Sequence, residues 1–113
     1  MSVFLQSFKN RTDIINEFQI KPDALRGVRI LLAWYGYGGY CGESLVIFER
    51  GGRLYEVNAS HCSCYGIEGQ WEPEGTTPEA LLKRTIYDSC DGGTEAQTKL
   101  HALAKRLQKR VKK

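Results

Sequence analysis

Side chains capable of chemistry are concentrated in one short stretch of this 113-residue chain. His61, Cys62 and Cys64 fall within four positions, and a segment rich in aromatic residues and carboxylates follows them. Thiolate and imidazole are the ligands that zinc prefers, and a thiolate beside a base is the nucleophile of thiol enzymes. Any metal site, catalytic site or recognition surface is therefore expected to include residues from 56–74.

A zinc site is the first chemistry that this stretch suggests. The candidate ligands are His61, Cys62, Cys64 and the distant Cys90. Side chains alternate along an extended segment, so Cys62 and Cys64 would lie on the same side of the chain. One C-x-C pair is a weaker zinc signal than two C-x-x-C pairs, and reduced cysteines often pack as small hydrophobic residues. Zinc is therefore an alternative, and no cofactor is the first expectation.

Nucleophilic catalysis is a further alternative for the same thiols. Cys62 or Cys64 would act as the nucleophile, with His101 as the base, because neighbours such as His61 and Cys62 rarely face each other in a strand. No known nucleophile signature surrounds these residues. We therefore predict a non-enzymatic protein without catalytic residues, and keep a small thiol-dependent enzyme as the second alternative.

A protein-binding surface is the first functional prediction. Exposed aromatic side chains on irregular backbone are frequent hot spots of protein interfaces, and glycine-rich loops surround several tyrosines of this chain. Trp71 has the competing interpretation of a core residue. The predicted partner-binding residues are Tyr37, Tyr40, His61, Tyr65, Glu68 and Trp71.

Charge is distributed unevenly although the net charge is only +3. Residues 43–95 carry ten acidic and four basic groups, whereas residues 96–113 carry seven basic groups and no acidic one. Such an uneven charge distribution suits partners of either charge, or a second copy of the chain in a homodimer. A zinc-stabilised nucleic-acid-binding module is the alternative function, although the isoelectric point near 8.7 is below that of dedicated DNA-binding domains. Its phosphate contacts would be Lys105, Arg106, Lys109 and Arg110.

The helices and strands that must position these residues are predicted to form one α+β domain over residues 1–113. The apolar run Val28–Tyr35 reads as a central strand, and Gly51-Gly52 between two further strand-like runs is a strong hairpin signal. These runs predict a small antiparallel sheet of three strands, or of four if residues 59–75 add one. Helices from the N-terminal and C-terminal parts of the chain would cover it.

Three helices are expected. The first spans Phe8–Gln19, and the second begins at Pro78, with Thr77 as its N-cap. The third, within the basic segment 94–113, begins at a capping box, T-E-A-Q. Its apolar stripe consists of Leu100, Leu103, Ala104, Leu107 and Val111. No apolar run approaches the roughly 20 residues that span a bilayer, so no membrane partner is expected.

The segment from Leu54 to Leu81 resembles a family of small proteins encoded by bacteriophages and prophages. The resemblance lies in a glycine-led hairpin followed by the motif E-V-N-x-S-H-C-S-C-Y-G-x-E-x-Q-W, which begins at Glu56 and ends at Trp71. It implies a phage-associated protein of the bacterial cytoplasm. By analogy with other small phage accessory proteins, it implies binding and inhibition of a host or defence protein.

Overall fold

A five-stranded mixed sheet forms the centre of the protein. A computed structural model describes residues 3–38, 41–61, 66–86 and 92–111. The strands are β1 (Val3–Gln6), β2 (Arg29–Gly38), β3 (Cys41–Arg50), β4 (Arg53–His61) and β5 (Glu74–Gly75). The helices are α1 (Arg11–Phe18), a 3₁₀ helix (Pro22–Leu25), α2 (Pro78–Leu82) and α3 (Gly93–Val111). The predicted α+β class is confirmed.

The strands lie in the order β1-β2-β3-β4-β5, so sequence neighbours are also neighbours in the sheet. Strands β2, β3, β4 and β5 pair antiparallel, and β3 and β4 are joined at Gly51-Gly52 as the sequence predicts. Both glycines have positive φ, 59° and 78°, a conformation that glycine adopts without steric cost. This turn fixes the register between β3 and β4, which positions the residues at the far end of the hairpin.

Strand β1 differs from the prediction because it joins the sheet in parallel, with Val3–Gln6 beside Leu32–Tyr35. The predicted sheet of three or four antiparallel strands therefore lacked one edge strand. Four residues are too few for a period of two to be recognised in the sequence. The fourth strand expected within 59–75 is β5, which has only two residues, Glu74 and Gly75.

Both faces of the sheet are buried, each under its own hydrophobic cluster. The first cluster joins the sheet to α2 and α3 and includes Trp34, Ile47, Leu81 and Leu100. The second cluster joins the opposite face to α1, the 3₁₀ helix and the segment after residue 65. Its largest buried members are Phe8, Ile14, Phe18, Leu25, Ile30, Tyr35, Phe48 and Ile67. Burial on both faces explains why β2 reads as a continuous apolar run.

The helix boundaries follow the caps. Helix α1 begins three residues later than predicted because Asn10 caps it, accepting a hydrogen bond from the Asp13 amide at 3.0 Å. Helix α2 begins as predicted, since the Thr77 hydroxyl accepts from the Ala80 amide at 3.1 Å. Most of the predicted α3 stripe is buried, from Leu100 to Leu107. No helix among the described residues is long and apolar enough to cross a membrane.

One ion pair anchors the end of α2 to the sheet. The Glu56 side chain is almost fully buried, and its carboxylate accepts hydrogen bonds from the Arg84 guanidinium and, at 2.7 Å, from the Asn58 amide. The Arg84 side chain is partly exposed, but its removal would leave the buried Glu56 carboxylate without its charge partner. Arg84 therefore holds the connection after α2 against β4.

Candidate functional site

A cluster of three rings lies at the end of the sheet where β2 ends, β3 begins and β4 ends. Tyr37 is opposite Gly42, and Gly42 is opposite His61, so these residues form one row across three strands. The Tyr37 and His61 rings meet edge to face with centroids 5.6 Å apart. Tyr35 contacts both rings, at 4.9 Å from Tyr37 and 5.7 Å from His61. We call Tyr35, Tyr37 and His61 the Tyr–His cluster.

Gly42 makes this contact possible because it presents no side chain between the two rings. A Cβ atom built at Gly42 would lie 2.4 Å from Nε2 and 2.9 Å from Cδ2 of His61. Both distances are shorter than real carbon contacts, so the imidazole occupies space that any other residue type would fill. The glycine is therefore a positioning element of the cluster.

Tyr35 is the buried member of the cluster, with 1% of its surface exposed. Burial raises the pKa of the Tyr35 hydroxyl far above its usual value, and a hydrogen bond to Tyr37 acts in the same direction. The nearby carboxylates of Glu17 and Glu68 raise this pKa further. Tyr35 therefore stays neutral at physiological pH, and its hydroxyl is hydrogen-bonded to that of Tyr37.

Two acidic side chains flank the cluster. Glu17, on α1, and Glu68, on the segment after β4, are both exposed, and both are close enough to affect Tyr35. The Glu68 carboxylate accepts a hydrogen bond from the Gly66 amide at 3.3 Å. The surface around Tyr37 therefore combines an aromatic centre with negative charge.

Gln70 fixes the segment that carries Glu68 to the edge of β4. The Ser60 amide donates to Gln70 Oε1 at 3.0 Å, and Gln70 Nε2 donates to the Ser60 carbonyl at 2.8 Å. One side-chain amide thus forms both hydrogen bonds that a neighbouring strand would form with this residue. The segment is held in place although it has no regular secondary structure there.

Trp71 lies elsewhere on the same sheet face, as part of a separate aromatic stack. Its ring is stacked on Phe48, at 5.8 Å and 10°, and meets Phe18 edge-on at 5.0 Å. Phe48 is also stacked on Tyr55, at 5.2 Å and 21°. Phe48 is six positions after Gly42 along β3, which corresponds to about 20 Å. Trp71 packs against the hydrophobic cluster, in agreement with its interpretation as a core residue.

Several predicted site residues lie outside the described part of the chain. These are Tyr40, Cys62, Cys64, Tyr65 and Cys90. The zinc site and the thiol enzyme therefore remain predictions. Within the ranges that the structure describes, no three His, Cys, Asp or Glu side chains form a group that could hold a metal ion.

His101, the predicted base of the thiol enzyme, belongs to a structural hydrogen-bond network on α3. Gln97 Oε1 accepts from the Ile86 amide, and Gln97 Nε2 donates to the Arg84 carbonyl at 2.9 Å. The same Nε2 lies 2.8 Å from His101 Nε2. An amide nitrogen can only donate, so His101 Nε2 accepts and the imidazole proton resides on Nδ1. The ring is on the helix that covers the sheet face opposite the Tyr–His cluster.

The basic residues predicted to contact phosphate lie on the last turns of α3. Lys105, Arg106 and Lys109 are exposed, and the side chain of Arg110 is outside the described part. Gln108 Nε2 donates to Glu79 Oε2 at 3.1 Å, which places these turns beside the start of α2.

Sequence reasoning identified Tyr37, His61 and Glu68 but missed Tyr35, Gly42 and Glu17. The alternation Tyr35-x-Tyr37 indicates two tyrosines on one strand face. The glycines of residues 36–42 indicate a loop, whereas Gly42 lies within β3. The contribution of Glu17 depends on how α1 packs, which no local pattern shows.

The chain matches no protein-family model, and it has no significant match among curated proteins or among solved structures. The resemblance of its central segment to phage proteins therefore remains a prediction.

Proposed function

We propose that the protein is a non-enzymatic recognition module that binds another protein through the Tyr–His cluster. The observation that supports this proposal most directly is the exposure of Tyr37. Among the described residues it is the one large hydrophobic side chain that is exposed, at 43%. Tyrosine is enriched among interface hot spots because it combines a large apolar ring with a polar hydroxyl.

The cluster is suited to binding because its ring positions are fixed before a partner arrives. Tyr35 and His61 both contact the Tyr37 ring, and Tyr35 is buried and hydrogen-bonded to it. Immobilising a free side chain on binding costs about 0.5–1.5 kcal/mol. The fold already holds these rings in place, so much of this cost does not arise on binding. A preformed aromatic surface favours recognition over proton transfer as the role of these groups.

The charge around the cluster indicates what the partner presents. The carboxylates of Glu17 and Glu68 would attract lysine or arginine side chains, and a cation can also rest on the face of the Tyr37 ring. The partner surface is therefore expected to be basic, and the association rate should fall as salt concentration rises.

The resemblance to phage proteins supplies the biological context of the proposal. The partner would be a host or defence-system protein of the bacterial cytoplasm, and binding would modulate or inhibit it. Two further predicted contact residues, Tyr40 and Tyr65, and the thiols of Cys62 and Cys64 lie outside the described residues, so their roles stay predictions from the sequence.

Affinity capture with matched tyrosine variants tests the proposal. Tagged protein is incubated with bacterial lysate, captured proteins are identified, and binding to the purified partner is then measured by calorimetry. Tyr37→Ala should weaken binding by about thirtyfold or more, the loss typical of a hot-spot residue. Tyr55→Ala makes the same change about 20 Å away and should leave binding intact. Equal binding by the wild type and Tyr37→Ala would refute the proposed surface.

A further inference from the structure

We infer that the opposite end of the sheet, at the β3–β4 turn, binds single-stranded nucleic acid. A base would stack on Tyr55, and backbone phosphates would contact Arg50 and Arg53. This surface is separate from the Tyr–His cluster and goes beyond the proposed protein-binding function. We call Arg50, Arg53 and Tyr55 the turn-end surface.

The first observation is an aromatic stack whose end ring, Tyr55, lines two surface grooves. Tyr55, Phe48 and Trp71 are nearly parallel in succession, with interplanar angles of 21° and 10°. Tyr55 is half-buried and lines two adjacent grooves of about 400 Å³ and 320 Å³. A planar base resting on Tyr55 would extend the stack by one ring, the contact by which many proteins bind single strands.

The second observation is a pair of arginines on the rim of the same grooves. Arg50 and Arg53 are directly opposite each other across the strands, and both are exposed. Their side chains form no ion pair or side-chain hydrogen bond with the residues that the structure describes. Like charges opposite each other destabilise a hairpin, so the fold retains an unfavourable arrangement that an anionic ligand would relieve.

Ring stacking distinguishes a single strand from other anionic partners. Bases within a duplex are stacked on each other and cannot reach Tyr55, whereas unpaired bases can. An acidic peptide would satisfy Arg50 and Arg53 but would gain little from a parallel aromatic stack. Since stacking does not read base edges, the surface should accept DNA or RNA with little sequence preference.

Fluorescence anisotropy with a labelled oligothymidylate tests this inference. The wild type should bind with a dissociation constant of about 1–100 µM near physiological salt. Tyr55→Leu should weaken binding about tenfold or more, and Tyr55→Phe, which keeps the ring, should retain it. Arg50→Gln with Arg53→Gln should lower the salt dependence by about 1.4 log units per log unit of salt, since each phosphate contact on a single strand contributes about 0.7.

Matched controls separate this surface from general charge attraction. The double variant Lys9→Gln and Lys99→Gln removes two positive charges that lie outside the turn-end surface. Because salt screens distant charges, its affinity at physiological salt should stay within about twofold of that of the wild type. Thermal unfolding of each variant verifies folding. Oligouridylate in place of oligothymidylate shows whether RNA and DNA are both accepted.

Three results would overturn the inference. The first is the absence of oligothymidylate binding at concentrations of about 1 mM, well above the usual range for non-specific binding. The second is equal affinity for a duplex of the same length. The third is a pair of observations: an oligoglutamate peptide binds through Arg50 and Arg53, and oligothymidylate binding does not depend on Tyr55. This pair would indicate that the partner is an acidic protein.

Discussion

Replacing Gly42 with alanine would place a methyl group where the His61 ring now lies. The new Cβ atom would be 2.4 Å from Nε2 and 2.9 Å from Cδ2 of the ring. The two strands are hydrogen-bonded in register, so the imidazole must turn away rather than the backbone. Turning it breaks the contacts of His61 with Tyr35 and Tyr37.

The expected cost of Gly42→Ala follows from these contacts. Each aromatic contact contributes about 0.5–1.5 kcal/mol, and a strained side-chain rotamer costs a similar amount. Alanine recovers about 0.5–1 kcal/mol because it restricts the unfolded chain more than glycine does. We therefore expect the free energy of unfolding to fall by about 1–3 kcal/mol.

Urea unfolding of a double-mutant cycle measures this cost. In the His61→Ala background the ring is absent, so Gly42→Ala should have little effect there. Gly75→Ala is the matched glycine control, because a Cβ atom at Gly75 would meet nothing within 4 Å. If Gly42→Ala costs as much without the imidazole as with it, the contact between residue 42 and the His61 ring is not the cause. A neutral Gly42→Ala in the wild-type background would refute the reasoning entirely.

Three further predictions concern ionisation and hydrogen bonding. Since the folded-state pKa of Tyr35 is raised above the unfolded value of about 10, the wild type should keep full stability below about pH 10 and lose up to about 1.4 kcal/mol per pH unit above it. Tyr35→Phe should lack this loss, and identical alkaline unfolding profiles would contradict it. Arg84→Ala should lower the free energy of unfolding by about 2–4 kcal/mol because it leaves the buried Glu56 carboxylate without its charge partner. In a Glu56→Gln background most of that cost should vanish. Equal costs in both backgrounds would argue against the ion pair. Nitrogen NMR should show the His101 proton on Nδ1 at neutral pH, with the tautomer ratio shifting in Gln97→Leu; a wild-type ring protonated on Nε2 would contradict the network.

Much of the fold was predictable because its signals are local. Gly51-Gly52 specifies a turn, Thr77 and Pro78 specify a helix start, and the spacing of leucines on α3 specifies its buried stripe. Each of these features depends on residues within a few positions of one another. Strand β1 was not predictable in this way, because its four residues are stabilised by pairing with β2, which follows two intervening helices in the sequence.

The candidate site shows the same division between local and non-local information. Tyr37 and His61 stood out by residue type, but the row that joins them through Gly42 depends on the register of two hairpins. Trp71 also stood out by type, yet its position on Phe48 depends on the path of a loop. Residue type therefore suggests which side chains matter, and only the sheet shows which of them act together.

The hydrogen bonds between Gln70 and Ser60 bear on self-assembly. Strand β5 pairs with only two residues of β4, Tyr55 and Glu56, so the end of β4 near Ser60 would otherwise present open backbone groups. Exposed strand edges template the addition of further strands, and natural proteins protect them with side chains, bulges or short cover strands. Here a single glutamine amide takes the place of the missing strand at Ser60. The same two bonds that position a loop for recognition therefore also discourage this edge from recruiting copies of itself into an aggregate.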